Sequence, residues 1–357
     1  MTVRVRPALA GLPRYVPGQP SVTGAASYKL SSNENPYPPL PGVLTATAQA
    51  CAQMNRYPDM ANTAISEAVA ARLSVEQSHL AFGAGSVAVL YALLQAVCEP
   101  GDEVIFAWRS FEAYPIAVQL TGATPVPVAL APGAVHDLAA MQARLSKATR
   151  AILLCTPNNP TGPALGHDAV IDFLDSVPDD VLVVIDEAYV EFVTDPSAVR
   201  GLEVLRDRSN VAVLRTFSKA YGLAGFRIGY GIAEPDLAGA VRAASLPFGV
   251  SRVAQAAAIA SLAAEDELMV RVAELIKARG ELAQGLIDRG FEVPDAQGNF
   301  VWLPAGPRTA EFAHAFAAGG LAVRPFVAGD SCDGIRITVG DPEANDRVLT
   351  VADTLPH

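Results

Sequence analysis

AILLCTPNNPTG (151–162), VLVVIDEAY (181–189) and VAVLRTFSKAY (211–221) share one plan: a short apolar, β-branched run that stops abruptly in polar residues. EVIFA (103–107) is a further run of the same kind, and all four are separated by amphipathic stretches of helical length. A strand apolar on both faces is buried on both faces, and such strands joined by helices predict an α/β fold with a mostly parallel sheet. In that architecture ligands collect beyond the carboxyl ends of the strands. Asn159, Asp186, Tyr189 and Lys219 all follow strand ends. An amide, a carboxylate, a phenol and an amine are therefore expected to converge on one planar ligand.

Working outward, the first 40 residues are rich in proline and glycine (GLPRYVPGQP, then NENPYPPLPG). These block regular helix and central strand and predict an extended arm on the body. The arm is placed at 1–26 and a large domain at 27–244. At 246–249 LPFG interrupts the helical pattern. Beyond it, a helix from 265 to about 289 and two strand-like runs, NFVWL (299–303) and GIRITVG (334–340), predict a smaller α+β domain over 245–357. There is no internal repeat.

Composition narrows the function. With 357 residues, 51% hydrophobic and 18% charged, the chain has the profile of a globular protein of more than one domain, not of a disordered one. A net charge of −11 with no Lys/Arg run repels phosphate backbones, so nucleic acid is not an expected partner. Cys51, Cys98, Cys155 and Cys332 form no C-x-x-C pair, and His79, His136, His167, His314 and His357 fit no metal spacing. Neither a disulfide framework nor a metal site is expected. The N-terminus has no apolar core of a signal peptide, and the Ala-rich stretch at 253–264 is interrupted by Gln255 and Ser261. A cytoplasmic protein with no membrane partner is the expectation.

Four motifs in order, TPNNPTG (156–162), DEAY (186–189), TFSKAYGLAGFRIGY (216–230) and GIRITVG (334–340), resemble those of the fold-type I pyridoxal-phosphate aminotransferases, specifically the histidinol-phosphate aminotransferase branch. The resemblance runs from NENP (33–36) to the last of these motifs. It implies a seven-stranded type of large-domain sheet, pyridoxal 5'-phosphate as cofactor, an amino acid and a 2-oxo acid as substrates, and a homodimer.

It also implies roles. Lys219 would attach to the cofactor aldehyde and, once released, shuttle a proton between the substrate α-carbon and the cofactor. Asp186 would keep the pyridine nitrogen protonated, where otherwise it would cap a following helix. Tyr189 and Asn159 would hydrogen-bond the ring hydroxyl, and Phe111 would stack on the ring. Gly85, Ser86 and Val87 precede a helix in FGAGSVAVL, so their N–H groups would hold the phosphate. Thr216, Ser218 and Arg227 would add hydroxyls and a fixed charge, although an isolated arginine also serves as a surface ion pair. Tyr57, in NRYPD, matches a tyrosine that reaches the partner subunit's cofactor phosphate. Arg336 shares a strand face with Thr338 and can fork onto a substrate carboxylate. Arg324, in VRPF, is either a second anion contact or a rim ion pair, and Tyr15 and Asn33 on the arm would close over the substrate.

Within the branch, histidinol-phosphate enzymes carry an Asp-Glu pair where this chain has Val87-Ala88, and an Asn where it has Gly249. Together with WRSFEAYP (108–115) this is more similar to the actinobacterial aromatic amino-acid aminotransferases. Histidinol-phosphate transamination and a pyridoxal-phosphate decarboxylase or lyase remain the alternatives. A nicotinamide dehydrogenase is disfavoured: Gly83 to Ala88 spells G-x-G-x-x-A, but Asp102 and Glu103 come before the next strand instead of closing it. A non-catalytic regulator would need a DNA-binding domain for which the chain has no room.

Overall fold

The computed structural model describes residues 3–6, 9, 11–12, 15, 18, 27–327, 329 and 332–356. Most of the expected arm at 1–26 lies outside the described residues. In chain order the strands are β1 (Tyr28–Lys29), β2 (Leu80–Gly83), β3 (Glu103–Trp108), β4 (Thr124–Ala131), β5 (Val135–His136), β6 (Thr149–Cys155), β7 (Leu182–Asp186), β8 (Val211–Thr216), β9 (Gly229–Ile232), β10 (Phe300–Pro304), β11 (Leu321–Ala322), β12 (Arg324–Phe326) and β13 (Gly334–Thr338).

One sheet carries the order β2-β9-β8-β7-β6-β3-β4-β5. The five strands from β4 to β8 in that order pair in parallel; β9 and then β2 join β8 by antiparallel pairing on one side, and β5 joins β4 on the other. The expected seven strands are present, and the two-residue β5 adds an eighth. The apolar runs behave as parallel strands must. Along β7, Val183 and Ile185 enter one hydrophobic cluster and Leu182 and Val184 the other; Val211 and Val213 separate from Ala212 and Leu214 in the same way on β8. Successive side chains thus feed opposite faces, each fully buried Val, Leu or Ile contributing about 1.5–3 kcal/mol.

A second, antiparallel sheet has the order β10-β13-β12 and is covered by the helices Glu265–Ile287 and Thr309–Ala318. Two features tie the ends of the chain together. Strand β1 pairs in parallel with β11, and the helix Arg252–Ala263 packs on Pro41–Cys51 and Thr63–Leu73. Among the described residues no helix is long and apolar enough to cross a membrane.

Candidate active site

The parallel strands β6, β7 and β8 end side by side at Cys155, Asp186 and Thr216. Beyond them opens a cavity of about 270 Å³ whose wall includes Asn159, Asp186, Tyr189, Thr216, Ser218 and Lys219. The convergence expected of three strand ends is therefore realised. Ser86, Val87, Phe111, Arg227, Arg324, Arg336, Asn33 and Tyr15 also line this cavity.

Asp186 is 6% exposed. Its Oδ2 accepts a hydrogen bond from the Tyr114 hydroxyl at 2.9 Å, whereas Oδ1 is buried without a hydrogen-bond partner among the described residues. Burial pushes its pKa up to about 6, against the Tyr114 bond, which lowers it. Asp186 is not the helix cap that a post-strand aspartate often becomes; Tyr189 occupies the N-cap position of the short turn that follows, Val190–Phe192, without a side-chain capping bond.

Lys219 donates from Nζ to the carbonyls of Ser32 at 3.0 Å and Asn33 at 3.2 Å. Burial first, and the neighbouring Arg336 guanidinium second, lower its pKa to about 7. Asn33 is fully buried. Its side chain donates to the Tyr189 hydroxyl at 2.9 Å, and Thr338 on β13 is bonded to both its backbone N–H and its Oδ1. Arg336, two residues before Thr338, donates to Asn159 Oδ1 and to the Ser31 carbonyl, and its Nε is buried without a hydrogen-bond partner among the described residues. Arg336 and Thr338 thus do share one face of β13.

At the other end of the cavity the helix Ser86–Val97 begins after Gly85, which sits at φ +81°. A Cβ on Gly85 would lie 2.5 Å from Arg227 Nη2, and one on Gly229 would lie 2.3 Å from the Ser86 nitrogen. Only glycine allows the guanidinium and the helix N-terminus to approach this closely. The Thr216 hydroxyl donates to Ser218 Oγ at 3.0 Å, and Arg227 Nη1 donates to Ser218 Oγ at 3.4 Å and to the Ala224 carbonyl at 3.1 Å. First-turn N–H groups have no intrahelical acceptor. With two hydroxyls and a guanidinium alongside, this corner is built for an anion.

Tyr57 does not line the cavity. It is 78% exposed and stacks on Phe248 with ring centroids 4.6 Å apart. Tyr15 is exposed, at the edge of the cavity. Sequence reasoning missed Tyr114, Glu112 and Phe326. Tyr114 lies three residues after Phe111 and touches it edge-on at 5.7 Å, and that i, i+3 aromatic spacing was the available signal.

Residues 27–351 match the family described as aminotransferase class I and II. The chain is 53% identical over 351 residues to an aromatic amino acid aminotransferase of Streptomyces avermitilis, covering 98% of this chain and 97% of that one. It is 50% identical to one of Thermobifida fusca, covering 99% and 97%. Among solved structures, histidinol-phosphate aminotransferase from Sinorhizobium meliloti in complex with pyridoxal-5'-phosphate superposes with a TM-score of 0.88 at 29% identity, covering 99% and 98%. An aspartate aminotransferase from Thermus thermophilus shares the fold, with a TM-score of 0.83 at 21% identity. The chain belongs to the class I and II aminotransferase family, the transaminases.

Proposed function

We propose that the protein is a pyridoxal 5'-phosphate-dependent aromatic amino-acid aminotransferase, passing the amino group of phenylalanine, tyrosine or tryptophan to 2-oxoglutarate. One observation carries the proposal: the Lys219 amine, and the Asp186 Oδ1 and Arg336 Nε that find no hydrogen-bond partner among the described residues, belong to residues lining one cavity. The aromatic preference draws on relatives of that name at about half identity over nearly the whole chain.

The residues fit the cofactor. A buried carboxylate oxygen without a donor is costly, and a protonated ring nitrogen supplies both the donor and the opposite charge. The anion corner at Gly85, Ser86, Thr216, Ser218 and Arg227 suits a phosphate ester, and Phe111 offers an aromatic face. When bound, the cofactor supplies an electron-accepting ring that stabilises the charge left at the substrate α-carbon.

The chain's own groups do the rest. Lys219, with a pKa of about 7, is close to half unprotonated at neutral pH, so its amine would be the group that holds the cofactor and, when free, would take and return the α-proton. Asp186 would pair with the protonated ring nitrogen, and Tyr114 favours the ionised form of Asp186 through its hydrogen bond. Tyr189, oriented by Asn33, and Asn159 would bind the ring hydroxyl. Arg336 forks onto the substrate carboxylate, using its Nε. Tyr15 and Asn33 border the substrate space.

Tyr57 belongs to a homodimer in this proposal, contacting the partner's phosphate. Its exposure, and that of the neighbouring Met60 and Leu246 at 60% and 81%, supports an apolar face covered by a second copy. The division into domains at 244/245 and a cytoplasmic location complete the reading. The solved relative at 29% identity favours histidinol phosphate as the second reading. A donor panel tests both: with 2-oxoglutarate as acceptor, phenylalanine, tyrosine and tryptophan should exceed histidinol phosphate in kcat/KM by about tenfold or more. Turnover of histidinol phosphate with none of phenylalanine would overturn the aromatic assignment, and release of CO2 in place of an oxo acid would indicate a decarboxylase.

A further inference from the structure

Two arginines stand side by side in the cavity with different counter-charges. Arg324 on β12 is directly opposite Arg336 on β13, so their side chains leave the same face of the small sheet. Both guanidinium groups lie against the Phe326 ring, at 5.4 and 5.7 Å from its centroid. The hydrogen bonds of Arg336 go to neutral oxygens, Asn159 Oδ1 and the Ser31 carbonyl. Arg324, by contrast, donates from Nη2 to the carboxylate of Glu112 in a close ion pair. Glu112 also lines the cavity, adjoining Phe111. It occupies the N-cap position of the helix Ala113–Thr121 and yet makes no capping hydrogen bond, so the helix does not account for its carboxylate.

We propose that Glu112 is a specificity-determining residue: as counter-ion of Arg324 it cancels the second positive charge of the substrate cavity. The site then favours a substrate with one anionic group and a neutral side chain. A second carboxylate or a phosphate ester has to displace Glu112 from Arg324 and meets its negative charge first, which is discrimination by a repulsive element and not by a better fit. The same pairing weakens binding of the dicarboxylate acceptor. The inference rests on the aminotransferase reading of this cavity and adds the charge rule by which it selects substrates.

The test titrates the holoenzyme with two substrate-like ligands, glutarate with two carboxylates and 3-phenylpropionate with one, and compares their Kd values. Glu112→Gln should tighten glutarate about tenfold relative to 3-phenylpropionate, and the KM for 2-oxoglutarate should fall in parallel. Glu112→Ser, which can cap the helix, is a second neutral variant with the same expected direction. The gain should shrink when Arg324→Gln is added, because the part that comes from freeing the Arg324 charge is then lost and coupled residues are non-additive. A glutarate preference that moves by less than about twofold, within ordinary surface-mutation effects, or that moves equally in the Arg324→Gln background, overturns the role of Glu112. Phenylalanine turnover by the wild type separates the layers: its absence sinks the aromatic reading, whereas its presence with an unchanged ligand ratio sinks only the charge rule.

Discussion

Replacing Tyr114 by phenylalanine removes the buried hydroxyl that serves Asp186 and little else. The ring contacts to Phe106 at 6.0 Å and to Phe111 at 5.7 Å do not involve the oxygen, so the fold should survive. What is lost is the 2.9 Å bond to Asp186 Oδ2, which leaves the carboxylate buried with neither oxygen served by a side-chain donor. A hydrogen bond to a charged group contributes about 1.5–3 kcal/mol, and 1.36 kcal/mol corresponds to one pKa unit. The Asp186 pKa should therefore rise from about 6 by roughly one to two units. At pH 7 the wild-type carboxylate is about nine-tenths ionised, and after a rise of about 1.5 units it is only about one-quarter ionised. Since only the ionised form pairs with a protonated ring nitrogen, apoprotein affinity for pyridoxal phosphate at pH 7 should drop about fourfold. The difference should close above about pH 9. The assay is a fluorescence titration of apoprotein with the cofactor across pH 5–9. An acid limb at the same pH in both proteins would refute the reasoning, because Tyr114 would then not be what holds Asp186 ionised.

Other perturbations read different parts of the site. The lowered Lys219 pKa of about 7 predicts that the rate of cofactor uptake by apoprotein rises with pH up to about 7 and then levels; stopped-flow absorbance would show a plateau beginning only near the ordinary lysine value if burial were not acting. The same shift makes the unfolded chain hold more protons between about pH 7 and 10.5, so the contribution of Lys219 to apoprotein stability should grow as pH rises through that window. Gly85→Ala places a Cβ 2.5 Å from Arg227 Nη2 at φ +81° and ψ 162°, a backbone conformation essentially confined to glycine and costing other residues about 1–3 kcal/mol, and should weaken cofactor binding about tenfold or more by equilibrium titration. Glu187→Gln unpairs Arg215, which Glu187 Oε2 holds at 2.8 and 2.9 Å with the glutamate side chain 1% exposed. Breaking a buried pair costs about 3–5 kcal/mol, so urea unfolding should show a large loss, and an unchanged midpoint would show the pair to be dispensable.

The part of the fold that positions the chemistry was legible because buried parallel strands write themselves as unbroken apolar runs, and the residues that end those runs are the ones in the cavity. The short, glycine-bearing antiparallel strands β2 (LAFG) and β9 (GYGI) carry no such run, and four residues hold too little pattern to distinguish a strand from a loop. Asn33 illustrates a second limit. Its partner Thr338 is 305 residues away, so nothing local marks it as the residue that orients Tyr189. Tyr114 and Glu112 read as ordinary members of a short helix, and their weight comes from partners on β7 and β12. Tyr57 was reached only through the family resemblance, since within one chain it faces solvent.

The claim on which the rest depends is that the Lys219 amine carries the cofactor. Borohydride reduction of the holoenzyme followed by peptide mass mapping tests it directly. The pyridoxyl phosphate adduct should appear on the peptide containing Lys219 and should be missing from Lys219→Ala. An adduct on Lys29, Lys147 or Lys277 instead, or none in the wild type, would contradict the account.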